Sequence, residues 1–461
     1  MTMTDTITAI STAWGEGGVG IIRISGPEAL AVGQKVFKAK GSPEIKERYL
    51  HYGEIACKGS ALDNGFLVYM KSPRSYTGED VVELHCHGGP LILKKVLELV
   101  SCSGARLAEP GEFTKRAFLN GKLDLTQAEA VIDVIRAQTD LSLSSARGRL
   151  EGSLSKKVND IKEILLNLLM RIEAELDFSE EEIDELPEDI FLNGLFKARE
   201  ALETLLSTYE EGKAIRDGVR VLILGRPNVG KSSLLNILLQ EERAIVTPVA
   251  GTTRDVIEEV INVRGIPVRL MDTAGLRDTT DHVESIGVRL ARERIADAQI
   301  ILFVVDSSLR VHFSEDLELL KGIKDKKILI VANKIDLTQD SDSQELREAF
   351  GDYRINFISA KTEAGIEELK DNIYEGSVGH SYGSVGEANP GELVVSIRHR
   401  NSLLACLEGI GRTRTAITEK LAKEFIATDL RWSVDRLGEI TGETTTEDIL
   451  ERIFSEFCIG K

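Results

Sequence analysis

The chain has 461 residues, 42% of them hydrophobic and 29% charged, which predicts about three globular domains at roughly 150 residues each. Its net charge of −18 argues against non-specific binding of nucleic acid over a broad surface, because such binding requires clustered lysine and arginine. With five scattered cysteines, no CxxC pair, no basic leader and no apolar run of about 18 residues, we expect a cytoplasmic protein that does not span a membrane.

The first 121 residues are predicted to form a compact α+β domain. Short β-like runs occur at residues 19–24, 66–70 and 81–85, between turns rich in glycine and proline. One helix is predicted near residues 91–100, where apolar residues recur at helical spacing.

Two short motifs in this domain are rejected as binding sites. Residues 15–20 (GEGGVG) satisfy the dinucleotide fingerprint, but they precede a strand and open no helix. Residues 85–87 (HCH) suggest a metal site, but neighbouring residues of a strand face opposite sides, so the cysteine points away from both histidines. Two histidines alone make a weak site, and we expect no zinc.

A helical period begins near residue 122 and lasts to about residue 216. Its apolar positions include Ala128, Val131, Ile132, Ile135, Ile161, Leu165, Leu168, Ile172, Leu176, Leu195, Ala198, Leu202 and Leu205. The same spacing returns after residue 392, beyond a glycine- and serine-rich stretch that reads as a linker. We therefore predict one discontinuous helical domain, residues 122–216 plus 379–461, interrupted by a separate domain at residues 217–378.

Residues 217–378 alternate short apolar strands with helix-like stretches, which is typical of a parallel α/β sheet. The predicted strands are residues 221–224, 268–271, 300–305, 328–332 and 356–358. Because helices are predicted on both sides of this self-contained unit, we expect it to be an inserted domain.

A phosphate-binding loop is predicted directly after the first of these strands. Residues 225–232 read GRPNVGKS and match the G-x-x-x-x-G-K-[ST] pattern between a strand and a helix. The glycines let backbone N–H groups curl around phosphates, and the following helix points its positive end at them. Lys231 is expected to reach the β- and γ-phosphates, and the Ser232 hydroxyl is expected to bind Mg²⁺.

Two further segments have the spacing of nucleotide switches. Residues 272–275 (DTAG) follow a strand, so that Asp272 can support the Mg²⁺ shell and the Gly275 N–H can sense the γ-phosphate. Upstream, residues 251–255 (GTTRD) offer Thr253 as the second hydroxyl on the metal.

Selection of the base is predicted from residues 333–336 (NKID). The two acceptor oxygens of Asp336 match the N1–H and N2–H₂ donors of guanine, whereas adenine would leave a buried carboxylate unpaired. Residues 359–361 (SAK) follow a strand, where the Ala360 N–H can meet guanine O6. The phosphate-binding loop and the DTAG, NKID and SAK motifs are four elements whose order along the chain predicts a GTP site.

These motifs resemble those of translation-factor-like GTPases, and residues 251–255 narrow the likeness to the branch with Era, Der and the MnmE (TrmE) family. Five other stretches are similar to MnmE: residues 17–26 (GGVGIIRISG), 76–80 (YTGED), 87–90 (HGGP), 116–122 (RAFLNGK) and 457–461 (FCIGK). The resemblance covers the whole chain. It implies a P-loop GTPase domain inserted in an all-helical domain and preceded by an α+β folate-binding domain.

The resemblance also implies which residues bind GTP. The expected contacts are Asn228, Val229, Gly230, Lys231, Ser232, Ser233, Thr247, Pro248, Val249, Ala250, Gly251, Thr252, Thr253, Asp272, Thr273, Ala274, Gly275, Asn333, Lys334, Asp336, Ser359, Ala360 and Lys361.

Ras-like proteins orient the attacking water with a glutamine, and this chain has Leu276 at that position. Arg254 and Arg277 are the nearby candidates for an arginine finger. In MnmE-like proteins a potassium ion supplies that charge, and its ligands map to Asn228, Thr247, Val249 and Thr252. The family's water-orienting glutamate maps to Glu284, which on its own reads as an exposed acid on a helix face.

For the N-terminal domain, the resemblance implies homodimerisation and binding of methylene- or formyl-tetrahydrofolate. The family's folate contacts map to Arg23, Glu83, Lys122 and Lys461. Arginine or lysine suits the glutamate tail of folate, and a carboxylate suits the donor edge of the pterin. The alternative for each residue is an ordinary solvated charge.

Cys458 is the fourth residue from the end, where packing gives little reason for a thiol. In the family this cysteine is needed for tRNA modification, as a nucleophile or an acid/base. The family works in a heterotetramer with an NADH-using flavoprotein of the MnmG (GidA) type, which would bring the FAD. Together they add a carboxymethylaminomethyl or aminomethyl group to position 5 of the wobble uridine in certain tRNAs.

The alternative is a GTP-operated assembly switch, such as a ribosome-maturation factor, without covalent chemistry. Such proteins share residues like 217–378 but normally add a basic RNA-binding module. This chain instead has an acidic helical domain, a folate-like N-terminal domain and a C-terminal cysteine.

Overall fold

The computed structural model describes residues 5–41, 44–57, 60–177, 187–242, 259–271, 294–308, 313–323, 325–338, 340–379 and 389–461. The chain divides into two compact units. The N-terminal unit comprises Met1–Ile132 and Gly438–Lys461, and the central unit comprises Asp133–Leu437. Among the described residues, no helix has the length and apolarity needed to cross a membrane.

Among the described residues, the N-terminal unit is built on a seven-stranded sheet in the order β3-β4-β5-β6-β2-β1-β7. The strands are β1 Ile7–Ile10, β2 Gly20–Ser25, β3 Phe37–Ala39, β4 His51–Cys57, β5 Ser60–Met70, β6 Val81–Cys86 and β7 Arg106–Leu107. The helices are α1 Ala29–Val36, α2 Pro90–Cys102, α3 Glu112–Leu119 and α4 Leu125–Arg136, which ends beyond the unit boundary. The predicted α+β domain is confirmed.

Alternation along β2 and β6 decides which side chains face the core. Ile22, Ile24 and Leu84 are buried in the cluster that also contains residues of α1 and α2. Arg23 and Glu83 are register partners on these two strands and are only partly buried. Because neighbouring residues of a strand point to opposite faces, this pair lies on the face away from α1 and α2.

The central unit contains helices on both sides of an α/β part along the chain. Its helices are α5 Asp140–Leu150, α6 Ser153–Asp177, α7 Glu188–Ser207, α8 Tyr209–Asp217, α9 Lys231–Glu242, α10 Ser314–Lys321, α11 Asp340–Ala349, α12 Ile366–Val378, α13 Ile397–Thr418 and α14 Lys423–Thr441, which ends beyond the unit boundary. The predicted helical spacing is confirmed, since residues such as Leu165, Leu202 and Leu403 are completely buried.

The α/β part has a six-stranded sheet within the described residues, in the order β13-β12-β11-β8-β10-β9. Its strands are β8 Val219–Leu224, β9 Glu259–Val263, β10 Ile266–Met271, β11 Ile300–Asp306, β12 Lys327–Asn333 and β13 Arg354–Phe357. The predicted parallel strands are confirmed. The antiparallel edge strand β9 was not predicted, because glutamate and asparagine in its short run EVINV weaken the β signal.

The N terminus of α5 contacts the turn between β9 and β10. Thr139 caps α5, and its hydroxyl donates a hydrogen bond to the Gly265 carbonyl oxygen at 2.6 Å. Gly265 has φ +91°, and a Cβ there would lie 2.7 Å from Leu141 Cδ2 and 2.9 Å from its Cβ. The turn therefore requires glycine for both its backbone conformation and this close packing.

Gly265→Ala is expected to lower the free energy of unfolding by about 1–3 kcal/mol, because it adds backbone strain and a clash. The measurement is urea denaturation followed by circular dichroism. Gly411→Ala is the matched control, since Gly411 is helical and a Cβ there meets nothing within 4 Å. It should be neutral or slightly stabilising, and equal destabilisation by both variants would contradict the prediction.

The C-terminal helix α15, Glu447–Ser455, belongs to the N-terminal unit. Leu450 and Phe454 are buried in one cluster with Leu125 and Ala128 of α4. The predicted domains are residues 1–121, 122–216 plus 379–461, and 217–378. They assign α15 and its packing partner α4 to the same helical domain, and these bounds stay a prediction. The inserted domain as an independent folding unit stays a prediction.

Candidate functional site

Residues 225–230 form the predicted phosphate-binding loop between β8 and α9. Gly225 has φ +145°, and a Cβ there would lie 2.2 Å from the Val304 carbonyl oxygen. Gly230 has φ +100°, and a Cβ there would lie 2.1 Å from the Asn333 amide nitrogen. Both positions therefore require glycine, since the loop backbone approaches the edge of the sheet too closely for a side chain.

The Lys231 side chain curls back over this loop. Its ammonium donates hydrogen bonds to the carbonyl oxygens of Gly225 at 2.8 Å and Arg226 at 2.6 Å. Ser232 is exposed in the first turn of α9, whose unbonded N–H groups and positive dipole end face the loop. Ammonium, hydroxyl and backbone amides together can bind phosphate oxygens and a divalent cation.

The buried Asn333 connects this loop to the predicted base-recognition residues. Its amide nitrogen donates a hydrogen bond to the Val229 carbonyl oxygen at 2.8 Å. Its amide oxygen accepts a hydrogen bond from the Ala360 N–H at 2.9 Å. One side chain therefore joins three of the four predicted elements at the carboxyl edge of the sheet, where α/β proteins bind ligands.

Asp336 lies in the 3-10 turn Ile335–Leu337, directly after β12. The Ser359 hydroxyl donates a hydrogen bond to Asp336 Oδ1 at 2.7 Å and accepts one from the Thr362 N–H at 3.1 Å. Because Ser359 fixes the orientation of the carboxylate, its remaining acceptor positions can address paired donors on a base. This is the arrangement that guanine requires.

Sequence reasoning missed one acidic residue at this edge. Asp306 is the last residue of β11, is the register partner of Asn333, and accepts a hydrogen bond from Lys334 at 2.5 Å. A single aspartate at the end of an apolar strand belongs to no motif. The signal that could have identified Asp306 is its position at the end of a strand next to the one that bears the base-recognition residues.

Several predicted site residues lie outside the described residues. They are Thr247, Pro248, Val249, Ala250, Gly251, Thr252, Thr253, Asp272, Thr273, Ala274, Gly275 and Glu284. Ser232 and Asn228 are therefore the described members of the predicted Mg²⁺ and K⁺ ligand sets. The described strands β9 and β10 adjoin the two switch segments in sequence, since β9 begins at Glu259 and β10 ends at Met271.

Two of the predicted folate contacts, Arg23 and Glu83, meet on the face of the N-terminal sheet that lies away from α1 and α2. Arg23 Nε donates a hydrogen bond to Glu83 Oε1 at 2.9 Å, and His85 Nε2 lies 3.3 Å from Glu83 Oε2. The Arg23 guanidinium also lies 5.4 Å from the centre of the Tyr76 ring and 5.7 Å from that of Phe113. Charged groups therefore lie next to aromatic rings. Such a site suits a flat, partly charged ligand. The prediction did not include His85, Tyr76 or Phe113 as site residues.

Neighbouring charges and burial shift the pKa values of Glu83 and Lys461. Burial acts to raise the pKa of Glu83, but the hydrogen bond from His85, the positive charge of Arg23 and the hydrogen bond from Arg23 together hold that pKa below its usual value. Burial and the positive charge of Arg23 lower the pKa of Lys461, against the opposing effects of Glu83 and Cys458. The charges of Arg23 and Glu83 therefore act on Lys461.

The C-terminal tail is fixed against the start of the chain. Ile459 forms a β-bridge with Pro110, and the Ser11 hydroxyl donates a hydrogen bond to the Gly460 carbonyl oxygen at 3.2 Å. Gly460 has φ +101°, and a Cβ there would lie 2.0 Å from the Ile10 carbonyl oxygen. The exposed Cys458 lies in this docked tail, and the charges of Arg23 and Glu83 act on the terminal Lys461.

Lys122, the fourth predicted folate contact, is held at a different point. Its exposed ammonium donates a hydrogen bond to the Pro73 carbonyl oxygen at 3.2 Å. Pro73 belongs to the same β5–β6 connection as Tyr76, which contacts Arg23. A hydrogen bond thus joins Arg23 and Glu83, their charges act on Lys461, and Lys122 contacts the loop that bears Tyr76.

Two protein-family models match this chain. A family model described as "MnmE helical domain" matches residues 125–458. A second model, described as "GTP-binding protein TrmE N-terminus", matches residues 6–122.

Known proteins match the chain over its full length. Three relatives are each called "tRNA modification GTPase MnmE", and in each pair 100% of both chains is covered. The protein of Aquifex aeolicus (strain VF5) is 48% identical over 461 residues, and that of Alkaliphilus metalliredigens (strain QYMF) is 45% identical over 466 residues. The protein of Clostridioides difficile (strain 630) is 44% identical over 468 residues.

Proposed function

This chain belongs to the MnmE (TrmE) family of tRNA modification GTPases, and from that membership we propose a specific reaction for it. Its GTP hydrolysis depends on K⁺ and drives modification of the wobble uridine of certain tRNAs. With an NADH-using flavoprotein of the MnmG type, it adds a carboxymethylaminomethyl or aminomethyl group at position 5. The added carbon comes from a tetrahydrofolate derivative, and the FAD travels with the partner.

The observation that supports this reaction most is the docked C-terminal tail. The tail that bears Cys458 and Lys461 contacts Ser11 and Pro110. The charges of Arg23 and Glu83 act on the pKa of Lys461, although most of the chain separates these residues in sequence. Cations suit the glutamate tail of a folate, an ionised carboxylate suits the donor edge of its pterin, and Tyr76 offers a ring face. A thiol beside such a ligand can act in transfer of the one-carbon unit.

The donors of the P-loop support a monovalent cation. Asn228 has φ +66°, and its carbonyl oxygen accepts a hydrogen bond from Lys334 at 3.0 Å. Asparagine, backbone carbonyls and threonine hydroxyls form an oxygen donor set that suits K⁺. We assign K⁺ to Asn228, Thr247, Val249 and Thr252, and Mg²⁺ to Ser232 and Thr253. When bound, K⁺ would neutralise charge that develops between the phosphates.

Replacing K⁺ by Na⁺ is expected to slow GTP hydrolysis by about tenfold or more, because the smaller ion fits this donor set poorly. The measurement is phosphate release at saturating GTP and equal ionic strength. Asn228→Ala should remove the difference between the two salts by lowering the rate in K⁺. Equal rates of the unaltered chain in both salts would rule out the potassium assignment.

Glu284→Ala is expected to lower kcat by about 10²–10⁴-fold with nearly unchanged affinity for GTP, because the proposed role of Glu284 is to orient the attacking water. Single-turnover hydrolysis and equilibrium binding separate the two quantities. A loss confined to affinity would instead assign Glu284 a binding or structural role.

We further propose that the chain is a homodimer that forms a heterotetramer with its flavoprotein. GTP-driven approach of the two GTPase domains gates the complex. Family membership is what supports this part of the proposal.

The direct test is a reconstitution with purified flavoprotein, unmodified tRNA, GTP, K⁺, NADH, FAD, methylene-tetrahydrofolate and ammonium or glycine. Mass spectrometry of the wobble nucleoside should show the added group only when the folate and GTP are present. Cys458→Ser should abolish the addition and retain GTP hydrolysis, whereas Cys102→Ser, which alters another exposed cysteine, should retain both.

Two outcomes would overturn this proposal. Normal modification by Cys458→Ser would remove the role of the thiol. GTP hydrolysis without tRNA modification, together with failure to bind formyl-tetrahydrofolate, would favour a GTP-operated assembly switch.

A further inference from the structure

Asp306 is buried at the carboxyl end of β11, between the phosphate-binding loop and the base-recognition residues. It belongs to none of the recognised nucleotide motifs. In the parallel sheet it is the register partner of Asn333, which contacts both of those elements. The neighbouring Ser307 donates hydrogen bonds from its N–H and its hydroxyl to the Asn333 carbonyl oxygen, so β11 and β12 end as one hydrogen-bonded unit.

Both carboxylate oxygens of Asp306 are engaged. Oδ2 accepts a hydrogen bond from Lys334 at 2.5 Å, and Oδ1 accepts two from Ser308, at 3.0 Å from the N–H and 2.6 Å from the hydroxyl. Burial acts to raise the pKa of Asp306, but the contacts with Lys334 and Ser308 outweigh it, so the pKa lies below its usual value. The carboxylate is therefore an ionised, fixed anchor.

Lys334 needs an anchor because its own conformation is unusual. It has φ +70°, in the left-handed region that side-chain-bearing residues rarely adopt, and its side chain is 32% exposed. Its ammonium bridges two groups, the Asp306 carboxylate and the Asn228 carbonyl oxygen, at 2.5 Å and 3.0 Å. Lys334 thereby joins the turn that bears Asp336 to the P-loop.

We propose that Asp306 is a positioning residue for guanine nucleotides, which acts by holding the Lys334 ammonium against the P-loop. The nucleotide then meets a loop that is already ordered and does not have to order it on binding. Asp306→Asn keeps the shape and an acceptor for Ser308, but it removes the charge that holds Lys334. The affinity for both GDP and GTP should fall about tenfold, through faster dissociation, with kcat at saturating GTP within about twofold.

The test measures dissociation of a fluorescent GDP analogue from the full chain by stopped flow. Ser308→Ala is the matched control, because it removes a hydrogen bond from the same carboxylate and leaves the Lys334 contact in place. It should change dissociation by less than about threefold. Thermal unfolding of each variant without nucleotide reports any general loss of stability.

A double-mutant cycle distinguishes positioning from a general structural role. In a Lys334→Met background, Asp306→Asn should have almost no further effect on nucleotide affinity, because its effect passes through Lys334. Asp306→Glu keeps the charge and should retain more affinity than Asp306→Asn. If the Asn variant does not fold, the Glu variant takes its place in the cycle.

Three results would overturn the proposal. The first is an unchanged rate of nucleotide dissociation from Asp306→Asn. The second is an equal loss of nucleotide affinity on Asp306→Asn in the presence and in the absence of Lys334. The third is an equal loss of nucleotide affinity in Asp306→Asn and Asp306→Glu.

Discussion

Asp336→Asn is expected to lower the affinity for GTP by roughly 100-fold or more and to create affinity for xanthosine triphosphate. Guanine presents two donors, N1–H and N2–H₂, and the substituted amide offers only one acceptor and places its own donor against the other. Xanthine has a carbonyl at that position, which the amide donor matches. Ser359 holds the side chain at 2.7 Å and should orient the amide as it orients the carboxylate.

Competition against a fluorescent GDP analogue measures this change in selectivity. Asp352→Asn is the control, since it makes the same chemical change at an exposed turn residue of the same sheet region. It should leave both affinities unchanged. Wild-type affinity of Asp336→Asn for GTP would show that another group selects the base.

Gly460→Ala is expected to reduce tRNA modification to the level of Cys458→Ser while GTP hydrolysis stays within about twofold of the unaltered chain. The added Cβ would lie 2.0 Å from the Ile10 carbonyl oxygen, a backbone atom that cannot move aside, and φ +101° is unfavourable for alanine. The tail must then leave its contacts with Ser11 and Pro110, which moves the Cys458 thiol away from the position that the proposed reaction requires.

The reconstituted modification assay, run beside GTP hydrolysis, measures both activities. Gly18→Ala is the control in the same unit, because a Cβ there meets nothing within 4 Å. It should modify tRNA normally. A Gly460→Ala variant that modifies tRNA at the normal rate would show that tail docking is not required for the reaction.

The nucleotide site was predictable because its parts are defined by spacing along short loops. Residues 225–232 are confirmed as a strand–loop–helix element, and Asn333 joins the loop to Ala360 as their order in the sequence suggested. Asp306 was not predictable in this way, because its role depends on which strands are neighbours in the sheet. The switch residues and Glu284 stay predictions from the family resemblance.

The packing of the C-terminal tail could not be predicted from sequence patterns. The apolar face of α15 was visible in sequence at Leu450 and Phe454. Its packing against α4, and the hydrogen bond between Ser11 and Gly460, join segments hundreds of residues apart and have no periodicity that would reveal them. Family resemblance pointed to Arg23, Glu83 and Lys461 as one site. That assignment stays a prediction, supported by the Arg23–Glu83 hydrogen bond and the docked tail.

The most direct test of the central claim is a competition experiment with the unaltered chain in Mg²⁺ and K⁺. GTP, GDP, ATP and ADP are titrated against a fluorescent GDP analogue. If the P-loop and Asp336 form a single guanine-selective pocket, the adenine nucleotides should compete at least about 1,000-fold more weakly than their guanine counterparts. Equal competition by ATP and GTP, or no binding of either, would contradict the account.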